Sequence, residues 1–263
     1  MATNWPLTRR ERNLRQRAYI LQGVRQFFNE KGYLEVETPH RIPAPAPESH
    51  IDAIPSGSWF LHTSPELCMK RMMAAGYGKI FQMCRCWRDR ERGNLHLPEF
   101  TLLEWYRAGA DYFSLMEECE GLLRFVAEGM GLGQKIIFRN REIDLSKPWG
   151  RIPVKEAFRC YTQTSVNEAL KLGLFDEMMV QDIEPKLGLE KPTFIYDYPA
   201  ERGALARLKQ EDPTLAERFE LYIGGLELAN GFSELVDSEE QGKRFHMENA
   251  NRQSYGKPIY SIP

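Results

Sequence analysis

The chain has 263 residues, 42% hydrophobic and 27% charged, with 35 Lys plus Arg against 37 Asp plus Glu and so a formal net charge of −2. That apolar fraction is enough for a core and excludes global disorder, while the charge balance argues against a nucleic-acid binder held mainly by phosphate contacts and still allows a local basic groove. No stretch approaches the roughly 18 apolar residues of a membrane span, and the N-terminus, charged from the start, carries no signal-peptide core.

In chain order, Thr8-Arg9-Arg10-Glu11 has the form of a capping box, and Leu14, Ala18, Leu21, Val24 and Phe28 then recur at helical spacing, predicting a helix over about 8–31 that stops at Gly32. Residues 33–38 (YLEVET) alternate and are β-rich, predicting a strand ended by Pro39, and 42–47 (IPAPAP) is an extended loop because each proline fixes its own φ and restrains its neighbour. A short strand at 59–62 precedes Thr63-Ser64-Pro65-Glu66, a helix start with a hydroxyl cap, a first-turn proline and an acid at the positive end. Residues 79–88 and 99–107 are two strands around a polar loop. Residues 112–128 form a long helix with Leu115, Cys119, Leu122 and Val126 inward, and 136–145 a hairpin turning at Arg139-Asn140. The middle, about 153–190, is helical, with a second capping box at Ser165–Glu168. Strands return at 193–198, 218–223 and 226–235, and a last helix over about 238–254 starts behind Asp237 and ends at Gly256. Strands joined by long helical excursions around hairpins predict an α+β domain, an antiparallel sheet flanked by helices, over the whole chain.

Three stretches could carry chemistry. The strand–loop–strand at 79–107 concentrates Arg85, Arg88, Arg90, Arg92 and His96 around its bend, and guanidinium forks match phosphate oxygens; Phe100 on the return strand could stack on a purine. The plain alternative is a solvated basic loop. Alternation puts Phe100, Leu102, Glu104 and Tyr106 on one face, where the acid needs a partner or a wet cleft. Next, 225–235 (GLELANGFSEL) carries Glu227 and Glu234 seven residues apart, on opposite faces under strict alternation and on one face if a bulge at Asn230-Gly231 intervenes; the plain alternative is a hairpin turning at Asn-Gly. Paired carboxylates in a cleft suit Mg²⁺ or a cationic group. Glu66 alone reads as a helix-dipole acid, and Met69, Met72, Met73 and Met83 as core packing. The five cysteines (Cys68, Cys84, Cys86, Cys119, Cys160) hold no CxxC pair and the histidines are scattered, which reads as reduced thiols in a cytosolic protein rather than a disulfide frame or zinc site. Neither a P-loop nor a dinucleotide-binding glycine motif is present.

Together, 28–39 (FNEKGYLEVETP), 63–70 (TSPELCMK), Arg88 with 96–106 (HLPEFTLLEWY), and 227–235 (ELANGFSEL) resemble the catalytic core of class II aminoacyl-tRNA synthetases of the lysyl type, in the same order over nearly the whole chain. The chain is similar, more closely still, to the elongation factor P–lysine ligases, lysyl-tRNA-synthetase paralogues without an anticodon-binding domain. Few residues precede the first core helix, and Lys191-Pro192-Thr193-Phe194 followed by Tyr198-Pro199-Ala200 is similar to that family's segment before its ELANGF strand.

The resemblance implies an ATP-dependent ligase of the cytoplasm that activates lysine or (R)-β-lysine as an adenylate and passes it to a lysine of elongation factor P rather than to tRNA. It implies that Arg88 grips the α-phosphate, that Phe100 stacks on adenine with His96 beside the nucleotide, and that Glu227, with the Leu228 backbone near ATP, holds Mg²⁺. Ser64 and Glu66 would line the amino-acid pocket, and Tyr106 and Glu234 would join Glu66 on substrate amines. It implies a homodimer formed through about Thr8 to Pro39. Departures are Arg90 where the family has an acid two residues after the arginine, and Leu97 where the synthetases have Asn. The third class II signature, a glycine-rich strand and helix ending in an ATP-contacting arginine, is absent, so the natural chain is expected to continue past Pro263. A fragment or minimal form of lysyl-tRNA synthetase, and a non-catalytic module of the same fold, are the alternatives.

Overall fold

The computed structural model describes residues 5–263, with the side chains of Trp5 and Pro6 left aside. The chain forms two compact units, one made of the chain up to Phe27 together with Ala110–Leu235, the other of Phe28–Gly109 and Val236–Pro263.

Helix α1 spans Trp5–Glu30. It starts ahead of the expected capping box, so Thr8 lies inside it; a proline at position 6 is tolerated there because a first-turn N–H has no helical acceptor. Val24 and Phe27 are buried, and Phe27 meets Phe125 at 5.7 Å between ring centroids. The helix ends as expected at Gly32, whose φ of 75° few other residues adopt and whose N–H donates to the Asn29 carbonyl.

The second unit opens on Phe28, which is fully buried, stacks on Phe81 at 4.7 Å and leans on Trp105 at 5.4 Å. The expected strand at 33–38 shortens to β1 (Leu34–Glu35), parallel to the later strand at Ile80 and Phe81. Strands β2 (Arg41–Ile42), β3 (Pro55–Ser56) and β4 (Trp59–Leu61) form a small antiparallel sheet with β4 central. Helix α2 (Glu66–Ala74) buries Met69 against Val36, Ile80 and Tyr106, with the half-buried Met72 and Met73 packed alongside, so these three methionines pack the core as expected, while Met83 is half-buried on the strand that follows. Strands β5 (Lys79–Trp87) and β6 (Glu99–Arg107) pair antiparallel along their full length, Lys79 opposite Arg107 and Trp87 opposite Glu99.

Back in the first unit, α3 (Tyr112–Gly129) is capped by Asp111, which accepts from the Ser114 N–H. Its inner face is Tyr112, Met116, Cys119, Leu122 and Ala127; the expected Leu115 and Val126 are only half-buried, the stripe having rotated by about one residue. Strands β7 (Lys135–Phe138) and β8 (Arg141–Asp144) make the expected hairpin, Arg139 and Asn140 both with positive φ as a type I′ turn demands. Strand β9 (Gly150–Pro153) leads into α4 (Val154–Tyr161), α5 (Val166–Leu172) and α6 (Phe175–Met178). Ser165 caps α5 as the sequence proposes, accepting from the Glu168 N–H at 3.3 Å. These helices, with Ile183 from the turn that follows them, pack Val154, Phe158 and Phe175 against Ile195 and Tyr222.

Strands β10 (Thr193–Pro199), β11 (Leu215–Ile223) and β12 (Leu226–Phe232) complete a four-stranded sheet in the order β12-β11-β10-β9, antiparallel except between β9 and β10. The sheets, mostly antiparallel and flanked by helices, are the expected α+β arrangement. The turn between β11 and β12 falls at Gly224-Gly225, both left-handed, and not at Asn230-Gly231, which lie inside the ladder opposite Glu220 and Phe219. Gly231 is required there: a Cβ would come within 2.6 Å of the Phe219 ring. The last element, α7 (Ser238–Ser254) of the second unit, is capped by Asp237 as expected. Among the described residues no helix is long and apolar enough to cross a membrane.

Candidate functional site

In the second unit, the face of β6 predicted by alternation is built around Glu104. The Ser64 hydroxyl donates to Glu104 Oε2 at 2.8 Å and the Tyr106 hydroxyl to Oε1 at 2.6 Å. Ser64 also accepts from the Glu66 N–H at 2.9 Å, so the hydroxyl that starts α2 ties the helix end to the carboxyl on the sheet. Glu66 in turn holds Lys70 at 2.6 Å, one helical turn on. The structure therefore brings together the predicted Ser64, Glu66 and Tyr106, and adds Glu104, which the sequence marks as an acid needing a partner without giving it a role.

Burial first, and the Glu66 carboxylate second, push Glu104 up to about 8 against the pull of its two hydroxyl donors. Burial and Glu66 likewise push Glu48 up to about 7, with Arg88 pulling the other way. Two carboxyl groups held near neutrality beside a third are poised to take up a cation, whose charge would let them ionise.

Arg88 lies just past the end of β5, its N–H donating to the Pro98 carbonyl at 3.0 Å. Its guanidinium sits 5.0 Å from the centre of the Phe100 ring, and its Nε is buried with no hydrogen-bond partner among the described residues. A buried donor without an acceptor beside an aromatic face suits an anion that brings its own oxygens and a flat group to stack. Arg90 takes a left-handed conformation with its side chain 88% exposed beside Asp89, while Glu91 reaches Arg88 at 3.8 Å. His96 is exposed in the loop, where its carbonyl accepts from the Gly93 N–H at 3.1 Å.

In the first unit, Glu227 and Leu228 are exposed on β12 and Glu234 is half-buried beyond its end. A bulge does separate the two acids, at Leu228 rather than at Asn230-Gly231: Ala229 pairs with Leu221 but Glu227 with Tyr222. The extra residue inverts the alternation between Glu227 and the chain beyond it. Glu220, on the neighbouring strand, is buried and fully engaged, accepting from the Tyr198 and Tyr222 hydroxyls at 2.7 Å each and pairing with Arg218 at 2.6 Å. Arg218 also donates to Asn230 Oδ1 at 3.1 Å, fixing β12 from beneath. Nothing in the sequence pattern marks Glu220, because its partners come from two strands.

The sequence matches the family model described as tRNA synthetases class II (D, K and N) over residues 6–261. It is 40% identical over 279 aligned residues, 99% of this chain and 85% of the relative, to an elongation factor P–(R)-β-lysine ligase of Hamiltonella defensa subsp. Acyrthosiphon pisum (strain 5AT). Proteins of the same name from Salmonella typhi and Salmonella arizonae are 40% identical over 95% of this chain and 82% of their own length. Sequence pattern, α+β fold and these relatives agree: the chain belongs to the class II tRNA synthetase family (D, K and N), among members similar to the elongation factor P–(R)-β-lysine ligases.

Proposed function

We propose that the protein is an ATP-dependent ligase that activates lysine or (R)-β-lysine as an aminoacyl adenylate and transfers the acyl group to a lysine side chain of translation elongation factor P. The observation that carries this reading is the 40% identity, over 95–99% of the chain, to relatives named as ligases of (R)-β-lysine to elongation factor P. The Ser64–Glu104–Tyr106 corner beside Glu66 supports it, because a cation-seeking corner is what an amino acid with an extra ammonium needs.

In this reading Ser64, Glu66, Glu104, Tyr106 and Glu234 receive the substrate amines. Arg88 binds the α-phosphate and stabilises the charge that accumulates as the carboxylate attacks it, and Phe100 stacks on adenine with His96 nearby. Glu227, with the Leu228 backbone beside ATP, would hold Mg²⁺, which would screen the phosphates during displacement; an exposed carboxylate is a fitting oxygen donor for that hard cation. The attacking carboxylate displaces pyrophosphate to give the adenylate, and the amine of the acceptor lysine then displaces AMP. The acceptor is a protein rather than tRNA and the setting cytoplasmic.

We propose further that the protein is a homodimer through residues 8–39; Leu14, Tyr19 and Ile20 on α1, and Leu34 on β1, present apolar side chains to solvent. Sedimentation at micromolar concentration showing only monomer would contradict the dimer. The adenylation half is tested by exchange of labelled pyrophosphate into ATP. Exchange that depends on a lysine isomer and disappears with uncharged analogues is expected; exchange with no isomer would refute it.

A further inference from the structure

Three soft donors that the sequence scatters over 25 residues meet in the second unit: His62, Cys84 and Cys86, all buried, offer ligand atoms within 4.8 Å of one another. Cys84 and Cys86 stand two apart on β5, so the pleat turns both thiols to one face and sends Arg85 to the other, where it pairs with Glu99 at 3.8 Å. The sulfurs are 3.8 Å apart, and Cys86 Sγ is 3.9 Å from the His62 ring at Nε2. Two thiolates on one tetrahedral ion at bond lengths of about 2.3 Å are separated by about 3.8 Å, so the pair already has the spacing of a chelate. His62 is 1% exposed, and its Nε2 lies 2.7 Å from the Arg85 carbonyl. In a neutral ring that contact puts the proton on Nε2 and leaves the lone pair on Nδ1, which is buried with no hydrogen-bond partner among the described residues. The Cys86 sulfur lies against Nε2, so an ion shared with the thiols takes the Nε2 lone pair in place of the Arg85 contact, and the ring proton moves to the unpartnered Nδ1.

We propose that His62, Cys84 and Cys86 form a binding site for a thiophilic metal ion, Zn²⁺ or Cu⁺. Binding releases the two thiol protons to solvent and leaves two thiolates and a neutral imidazole on the ion. The fourth position falls to water or to the exposed His40, whose ring lies 5.2 Å from that of His62 and marks the side open to entry. Hard, oxygen-seeking Mg²⁺ is excluded by the donor set. The site is distinct from the acids assigned to Mg²⁺ and does not depend on the ligase reading.

The test titrates the reduced, full-length chain with Co²⁺ as a spectroscopic stand-in for Zn²⁺, followed by displacement with Zn²⁺, and in a second arm measures Cu⁺ transfer from a copper chelator. One equivalent of Co²⁺ per chain is expected, with thiolate-to-cobalt charge-transfer bands and intense tetrahedral ligand-field bands. Cys86→Ala and His62→Gln should each weaken binding by more than roughly 100-fold, beyond the loss typical of a supporting group. Cys160→Ser, which removes an exposed thiol elsewhere, should change nothing. Absence of the bands in the unaltered protein together with no Cu⁺ uptake would overturn the proposal, and so would bands retained at full strength in folded Cys86→Ala. Because the unaltered protein alone can refute the site, failure of a variant to fold does not shelter it.

Discussion

Glu104→Gln is the substitution that most sharply probes the amine pocket. Glu104 sits between the Ser64 and Tyr106 hydroxyls, with Glu66 and Cys84 acting on it and its ionisation displaced from 4.5 to about 8. At about 1.4 kcal/mol per pH unit, that displacement is roughly 5 kcal/mol set against the carboxylate form, so near neutral pH the carboxyl of the free protein holds a proton. A substrate ammonium within hydrogen-bond reach reverses the preference, and the proton leaves as the amino acid binds. Calorimetry of lysine or (R)-β-lysine binding in buffers of different ionisation enthalpy should therefore show release of close to one proton per site near neutral pH. Glu104→Gln should abolish that release. It should also weaken binding by about 2–5 kcal/mol, the cost of removing one partner of a buried charge pair, which is roughly 30-fold to several-thousand-fold. The same affinity and the same proton count in Glu104→Gln, or no proton release in the unaltered protein, would refute the reasoning.

The same displacement predicts a pH dependence of stability. The folded value lies above the ordinary one, so this contribution is full below about 4.5 and is lost as the pH rises through about 8; the melting temperature of the free protein should fall across that window, and less steeply in Glu104→Gln. Arg88→Ala should lower the rate of pyrophosphate exchange by about 10²–10³, the loss seen when one preorganised donor to a transition-state oxygen is removed, while far-ultraviolet circular dichroism stays unchanged. Arg252, fully buried in α7, donates to the carbonyls of Glu48, Ile51 and Pro258 and pairs with Asp52 at 2.9 Å, so Arg252→Ala should cost about 3–5 kcal/mol in denaturant unfolding. Gly231→Ala should destabilise by about 1–3 kcal/mol on the same assay, because its methyl group meets the Phe219 ring.

Much of this was legible in the sequence where a local rule had no competitor. The β5–β6 pair, the Arg139-Asn140 turn, and the caps at Ser165 and Asp237 each follow from pattern or turn chemistry acting over a few residues. The misses arise where a local signal is overruled by its surroundings. The capping box at Thr8 is a valid local signal inside a helix that had already begun, and YLEVET alternates like a strand but pairs with β5 over two residues only. Asn230-Gly231 makes a good turn in isolation, yet Gly224-Gly225 closes the hairpin and Gly231 is kept small by Phe219. The site shows the same division. Alternation places Tyr106 beside Glu104, whereas Ser64 reaches that carboxyl from forty residues away. The cysteines and His62 looked scattered because the spacing rules for metal motifs read a helix or a knuckle, and here a strand and a loop bring the donors together.

The central claim is tested most directly by the intact mass of elongation factor P after incubation with this protein, ATP, Mg²⁺ and each lysine isomer in turn. A gain equal to one lysyl-type acyl group on the factor is expected, dependent on ATP and lost with Arg88→Ala. A factor left unmodified by every isomer, while lysine tRNA in a parallel reaction becomes charged, would contradict it.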